Sequence, residues 1–345
     1  MRQDLDIQIT QYCIEWLQKH HASIAISTYQ IGKILTIGHQ DNGKYSAFER
    51  TFDRCMGMCA SQNDNGFYLS CKNQIWRFEN VLKKGETKNG YDKLFVPQSS
   101  STTGDCDIHD LTADKENQLV FVNTLFNCLA TTSNLYSFRP YWKPSFINKL
   151  VPADHCHLNG LAIRDGKPIY VTAASCSNKP DGWRQDRQNG GVVIDITKNV
   201  VIANGLSMPH SPRWYRENLW ICNAGTGEFG KIDMSTGQFE PLVFCPGFMR
   251  GLAFCDDYAI IGISKIRGNE LFNDLSISNT LCKKNMKSIC GIVIVNLNTG
   301  VIDHTIKFDG MIEEIYDVIC LKDCNNPALI GLKGDEINYT ISIES

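Results

Sequence analysis

Six short segments of this chain resemble one another at intervals of roughly 50 residues. A repeat of that period constrains the fold more than any bulk property does. The segments read RCMGM at 54–58, DIHDL at 107–111, HLNGL at 157–161, PHSPR at 209–213, MRGLAF at 249–254 and EEIYDV at 313–318. Most are followed, about nine residues later, by an apolar run of strand type: FYLSC, LVFVN, PIYVT, NLWIC, AIIGI and ALIGL. A unit of about 40–50 residues built from four short strands marks a β-propeller. The first strand of each blade lines the central channel, so residues far apart in sequence meet on one axis. Three of the six segments bring a histidine to that axis.

The second half repeats the layout of the first. SIAISTYQIGKILTIGHQDNGKYSAFERTFDRCMGM lies over NLWICNAGTGEFGKIDMSTGQFEPLVFCPGFMRGL, with strands, turns and a Gly-centred inner segment in the same order. The turns QDNG, MSTG and LNTG favour positive φ at their last position, as tight hairpins require. The chain starts on a second-strand unit at 23, and its last inner segment is at 313. The two ends are therefore expected to meet in one blade and abolish the sheet edge. The expected fold is an all-β propeller of six blades over 23–345. The remainder PALIGLKGDEINYTISIES leaves seven blades as the alternative. Residues 1–22 are read as a helical extension, because LDIQITQYCIEWLQKH carries Ile7, Ile9, Cys13, Ile14 and Leu17 at mixed helical spacing. Insertions stand out at KKGETKNGYDK with SSSTTG, at 175–191 and at 266–291, and such loops on a rigid wheel carry lids and partner contacts.

Composition narrows the function classes. Net charge is −3 with no long basic run, which gives nucleic-acid binding no electrostatic support. No apolar stretch approaches the ~18 residues of a membrane span, and MRQDLDIQITQYC has no apolar signal core. The 15 cysteines form no CxxC pair and sit largely in strand-like runs, so they read as reduced core thiols of a cytoplasmic protein, with a secreted disulfide protein as the lesser alternative.

Strand side chains alternate. Alternation puts Asp107 with His109, His157 with Asn159, and Glu314 with Tyr316 on one face each, with Arg250 at the position of His109 and Asn159. His210 joins them less regularly, because Pro209 and Pro212 bend its strand. Neutral imidazoles gathered on an axis point to a metal, since buried polar groups need partners. His109, His157 and His210 are the candidate ligands of a divalent transition metal, Zn²⁺, Fe²⁺ or Mn²⁺, with Glu314 as an additional ligand. Asp107 or Asp110 would accept the second imidazole N–H. Asp107, Tyr316 and Glu314 are the candidate catalytic groups, with Glu313 competing for the last role under a one-residue register shift. Asn159, Arg213 and Arg250 are the candidate substrate-binding groups, the arginines for a carboxylate or phosphate. Each has a structural alternative: a blade-start histidine can bond backbone, Asn159 can be a turn former, and the arginines can be inter-blade ion pairs. Trp183 and Arg184 in the 175–191 loop either cover the channel or belong to a solvated loop. His20, His21, His39, His155 and His304 lack the pattern and read as surface or loop residues.

The blocks TYQIGKILTIG, GDCDIHDL, CHLNGLA, GLSMPHSPRW, GFMRGLAF and EEIYDV resemble a mainly bacterial family of propeller proteins whose domain has no assigned function. The resemblance covers nearly everything after residue 22 and implies a fold without a reaction. More distantly, HLNGLAIRDGKPIYVT is similar to the N-G-[LI]-A…-[LI]-Y-V-T segment of gluconolactonase and regucalcin-like propellers. That likeness implies Asn159 as an axial metal ligand. Those enzymes use mostly oxygen ligands, whereas histidines stand at 109 and 210 here, which speaks against lactonase activity. The expected function is a metal-dependent enzyme acting at the channel mouth on a small or peptide-borne substrate, with hydrolysis, lyase chemistry and oxygen-dependent oxidation all open. The alternative is a scaffold or ligand sensor, holding a protein partner through the 266–291 loop.

Overall fold

The computed structural model describes residues 5–266 and 274–343. Their strands form six sheets set around an axis. The inner strands are Met58–Ala60, Ile108–Ala113, Leu158–Arg164, Pro209–Tyr215, Phe248–Cys255 and Asp317–Lys322. Each touches the next, and the sixth touches the first, so the ring is closed. Numbered from the closing blade, blade 1 contains Asp317–Lys322, and blades 2 to 6 follow in chain order from Met58. All six recurring segments lie at or just before an inner strand.

Blade 1 is the closure. Asp317–Lys322 from the C-terminal part pairs antiparallel with Ala22–Thr28, which continues to Lys33–His39 and Tyr45–Thr51. The register runs from Ala22 opposite Lys322 to Ser27 opposite Asp317. Every residue of Ala22–Thr28 is buried, as a central strand between packed blades should be. The two overlaid sequence halves are the outer strands of blade 1 leading into blade 2 and the outer strands of blade 5 leading into blade 6. The core lies between blades rather than at the hub. Ile24, Ile26, Leu35 and Ile37 of blade 1 pack with Ile260, Ile292, Ile294, Ile306 and Phe308 of blade 6, and each such side chain contributes about 1.5–3 kcal/mol.

The chain ends differ from the sequence reading. Residues 5–20 are not one helix. Asp6–Ile9 is a strand added antiparallel to Val301–Asp309, making blade 6 five-stranded, and only Cys13–Lys19 is helical. The alternation of Ile7 and Ile9 is a strand period that the helical reading absorbed. The 1–22 extension is thus partly built into the wheel. At the other end, Pro327–Leu329 pairs parallel with Lys93–Thr102 on the outer edge of blade 2. The remainder therefore caps an existing blade and makes no seventh. SSSTTG, read as an insertion, falls largely within the strand Lys93–Thr102.

All 15 cysteines are free thiols, and most are buried. Among the described residues no helix is long and apolar enough to cross a membrane.

Candidate functional site

The inner strands of blades 3 to 6 all carry a bulge near their start. In blade 3 it falls between Ile108 and Leu111, in blade 4 at Asn159, in blade 5 between His210 and Arg213, and in blade 6 between Met249 and Leu252. A bulge inserts an extra residue and re-aims the side chains around it. Just before two of these strands, Asp107 (φ 51°) and His157 (φ 50°) adopt the left-handed conformation that Asp, Asn and His tolerate best. Strict alternation therefore fails at the axis, and the candidate residues divide into three groups.

The first group lines a cavity of about 210 Å³ at the N-terminal ends of the inner strands. His109 and His157 meet edge to face with ring centroids 4.8 Å apart. Tyr316 lies 5.5 Å from His109, and Tyr29 lies 5.9 Å from Tyr316. Arg250 places its guanidinium carbon 5.2 Å from the centre of the Tyr316 ring and 5.3 Å from that of Phe248. Met56, Met208, Phe248 and Leu275 make the apolar wall, with Asp107 and Arg184 also on the lining.

The histidines share a proton arrangement. His157 Nδ1 is 2.8 Å from Asp154 Oδ2, whose partner oxygen accepts the His157 backbone N–H at 3.0 Å. His109 Nδ1 is 2.9 Å from both the Asp107 carbonyl and the Thr124 hydroxyl. The Thr124 hydroxyl donates to the Leu158 carbonyl, so it can only accept from the imidazole. His210 Nδ1 is 2.8 Å from the Met208 carbonyl. A carbonyl or an ionised carboxylate accepts and cannot donate, so each Nδ1 carries the proton and each Nε2 carries the lone pair.

Burial favours the neutral form of His109 and His210. The pKa of His109 falls to about 4 through desolvation, partly countered by Asp107. His210 is also held well below its usual value, by burial and by nearby Arg250. Asp154 is held below the ordinary carboxylate range: burial opposes this, but hydrogen bonds from His157 and Trp183 outweigh it. Burial pushes Tyr316 well above its ordinary value, so its phenol is a proton donor and not a base. Its hydroxyl has no hydrogen-bond partner among the described residues. Arg250 likewise has no ion pair or hydrogen bond there, and its Nε is buried without a partner. An unpaired guanidinium facing two aromatic rings is a ready receptor for a carboxylate or phosphate.

Two insertions roof this cavity. The helix Trp183–Asp186 lies in the 175–191 loop. Trp183 stacks on His157 with centroids 4.1 Å apart, and its Nε1–H donates to Asp154 Oδ2 at 3.0 Å. Leu275 comes from the 266–291 insertion, and Arg187 joins the two insertions through Asp274 at 2.7 Å. Residues 267–273 of that insertion, where a protein partner was expected, lie outside the described residues.

The second group does not reach the cavity. His210 packs against Phe248 at 5.3 Å, and its Nε2 is buried without a described partner, but it is not on the lining. Among the described residues, the donor atoms of His109, His157 and His210 do not all come within 4.8 Å of one another. A metal with Zn–N bonds of about 2.0–2.1 Å needs them closer. Asn159 accepts a hydrogen bond from the Thr172 hydroxyl of the same blade at 2.9 Å and is not on the cavity lining. Glu314 is buried and accepts the Gln30 backbone N–H at 2.8 Å, fixing the turn that carries Tyr29.

The third group is a hub of ion pairs. Arg213 binds Asp110 through both carboxylate oxygens, at 2.7 and 3.1 Å, bonds the Leu161 carbonyl at 3.1 Å, and lies 4.0 Å from Asp317. Asp110 accepts the Leu161 N–H, and Asp317 accepts the N–H groups of Met58 and Val318. Five blades are thereby stitched at the axis. Arg213 is therefore engaged in structure, and Asp110 serves it rather than an imidazole. Beyond the hub, at the C-terminal ends of the inner strands, lies a second cavity of about 300 Å³.

Sequence reasoning missed Asp154, Tyr29 and the buried state of His39 and His155. Asp154 precedes His157 by three residues, and that D-x-x-H spacing was the available signal.

Comparison with known proteins adds the fold and the family. No curated protein matches the sequence. A solved nidogen/laminin complex is similar at 11% identity with TM-score 0.53, covering 88% of this chain and 98% of that one, which shows the shared fold alone. Virginiamycin B lyase from Staphylococcus aureus is similar at 11% identity and TM-score 0.41, covering 88% and 99% of the two chains. A luciferin-regenerating enzyme is similar at 11% identity and TM-score 0.43, covering 86% and 93%. Residues 11–330 match the family described as Domain of unknown function (DUF4915), and the chain belongs to that family.

Proposed function

We propose that this chain is an enzyme whose active site is the axial cavity, and that its substrate is a small or peptide-borne molecule bearing a carboxylate or phosphate. The observation that carries this reading is the pairing of Asp154-held His157 with Arg250, which has no ion pair among the described residues, on one cavity lining. The chemistry such a set performs is proton transfer. His157 takes a proton from the substrate at Nε2. Asp154 holds the tautomer and balances the imidazolium that forms, with Trp183 fixing the ring from above. Arg250 anchors the substrate anion, and the Tyr316 phenol donates a hydrogen bond to oxygen that gains charge. Elimination and hydrolysis both fit this set of groups.

The test is turnover of a pool of small carboxylates and phosphate esters, followed by proton NMR. His157→Gln and Asp154→Asn are expected to slow consumption at least ~100-fold. Arg250→Met is expected to raise KM. Unchanged turnover in His157→Gln would overturn the reading.

A second reading keeps the divalent transition metal, Zn²⁺, Fe²⁺ or Mn²⁺. It is favoured by the way all three imidazoles donate Nδ1–H and leave Nε2 open, as metal-ligating histidines do. His109 and His157 would hold such an ion; His210 would have to move to join them. The ion would supply Lewis acidity or a bound hydroxide. Metal content of the purified protein, compared with His109→Ala, His157→Ala and His210→Ala, decides. Metal lost in all three supports the ion, and unchanged content removes it.

A further inference from the structure

The polar groups of the axial cavity are divided by side. Blades 3 and 4 supply acceptors. His109 and His157 each give Nδ1–H to an oxygen, so each neutral ring presents a lone pair at Nε2. Both rings line the cavity, and neither Nε2 has a hydrogen-bond partner among the described residues. The Nε2 of His210 is shut off in the packing, whereas those of His109 and His157 are not. The Asp107 carboxylate lies on the same lining, and at 3.7 Å from His109 Nδ1 it is too far for a hydrogen bond.

Blades 6 and 1 supply donors. Arg250 stands in the inner strand of blade 6 and Tyr316 just before that of blade 1. Arg250 has no ion pair among the described residues, and the Tyr316 hydroxyl has no partner there. Polar groups held out of water cost free energy until they are paired. A bare anion would answer Arg250 and Tyr316 alone. It would leave the His109 lone pair unmet and set negative charge near Asp107, so a donating group is needed on that side. His109 has no task in the proton transfer assigned to His157, and its ring centroid stands 4.8 Å from that of His157. Its lone pair is placed to serve a substrate atom near the one that His157 deprotonates.

We propose that His109 is a specificity-determining residue, and that the substrate carries a hydrogen-bond donor, a hydroxyl or an ammonium, beside its anion. This rests on the proton-transfer reading of the cavity. The carboxylate or phosphate lies on Arg250 and Tyr316, and the donor points to His109 Nε2 and Asp107. Small hydroxy acids and amino acids have this layout, and their unsubstituted parent acids do not. A site built around such a donor rejects the analogue that lacks it, because the acceptor is then left unpaired. The cavity, at about 210 Å³, is smaller than the ~300 Å³ at which pockets for drug-sized ligands begin, which favours a free small molecule over a peptide-borne group.

The test is binding of matched acids to the full chain stripped of metal with EDTA, followed through the His157 ring resonances by NMR. Succinate, malate and aspartate share one skeleton, as do propionate, lactate and alanine. In at least one set, the hydroxy or amino member should bind wild type ~10-fold or more tightly than its parent acid. Tighter malate or lactate identifies the donor as a hydroxyl, and tighter aspartate or alanine as an ammonium. His109→Phe should bring the members of that set within ~2-fold of one another, and His109→Gln, which keeps an acceptor oxygen, should restore part of the preference. Arg250→Met should weaken every member. Equal binding within both sets in wild type, with binding still lost in Arg250→Met, would overturn the donor and leave the anion site standing. A preference that survives His109→Phe would overturn the role of His109. Binding of no member, or binding indifferent to Arg250→Met, would sink the proton-transfer reading and this proposal with it.

Discussion

Acid should destabilise this protein through His109, and by an amount that can be worked out. In the folded chain its pKa is lowered from 6.5 to about 4, chiefly by burial. Asp107 pulls the value up, while His157 and Arg250 push it further down. Between those two values the unfolded chain binds a proton that the folded chain refuses, so stability rises with pH across the window and falls as pH drops. For a shift of that size, the loss between pH 7 and pH 5 is ~2 kcal/mol. His210 contributes in the same direction. Asp317, buried and pushed up to about 7, contributes in the opposite one, because its folded state favours the proton and stability falls as pH rises from 3.8. The raw pH profile is therefore composite, and the readout is a difference. Urea unfolding at pH 7 and pH 5 should show wild type losing ~2 kcal/mol more than His109→Gln. Equal losses in the two proteins would refute a buried, neutral His109, as would an NMR titration placing its pKa at 6.5 or higher.

Other outcomes follow from the same geometry. Arg213→Met should destabilise by about 3–5 kcal/mol, because Asp110 would be left buried without its bidentate cation, and Arg213→Met with Asp110→Asn should cost less than the sum of the two singles. Gly251→Ala should lower stability by more than ~1 kcal/mol in thermal unfolding, since Gly251 has φ +78° and a Cβ there would meet the Val318 nitrogen at 2.6 Å. Trp183→Ala should cost about 3 kcal/mol in urea unfolding and free the Asp154–His157 pair, seen as faster exchange of the His157 Nδ1 proton.

The wheel was legible in the sequence because its repeat is carried by strand pattern and turn chemistry. Blade number followed from the inner segments, and closure followed from a second-strand unit at 23 matched by an inner segment at 313. The site was only partly legible. His109, His157, Tyr316, Arg250 and Asp107 line one cavity, but Asn159, Arg213 and Glu314 do not. Alternation placed Asn159 beside His157 and Glu314 beside Tyr316, but a bulge breaks the period at Asn159, and Glu314 precedes the strand Asp317–Lys322 altogether. A bulge leaves little trace in a single sequence. The Arg213 hub was equally hidden, because an arginine reads the same whether it awaits a substrate or pairs Asp110 across two blades. His39 and His155 were read as surface or loop residues because they lack the repeat, yet burial needs no repeat.

The central claim is that Arg250 and the two cavity histidines form one anion-binding site. It is tested most directly by adding inorganic phosphate and small dicarboxylates to the full chain and following the His109 and His157 ring resonances by NMR. Expected are saturable shifts of both rings that vanish in Arg250→Met and persist in Arg213→Met. Shifts that survive Arg250→Met, or rings that respond to no anion, would contradict it.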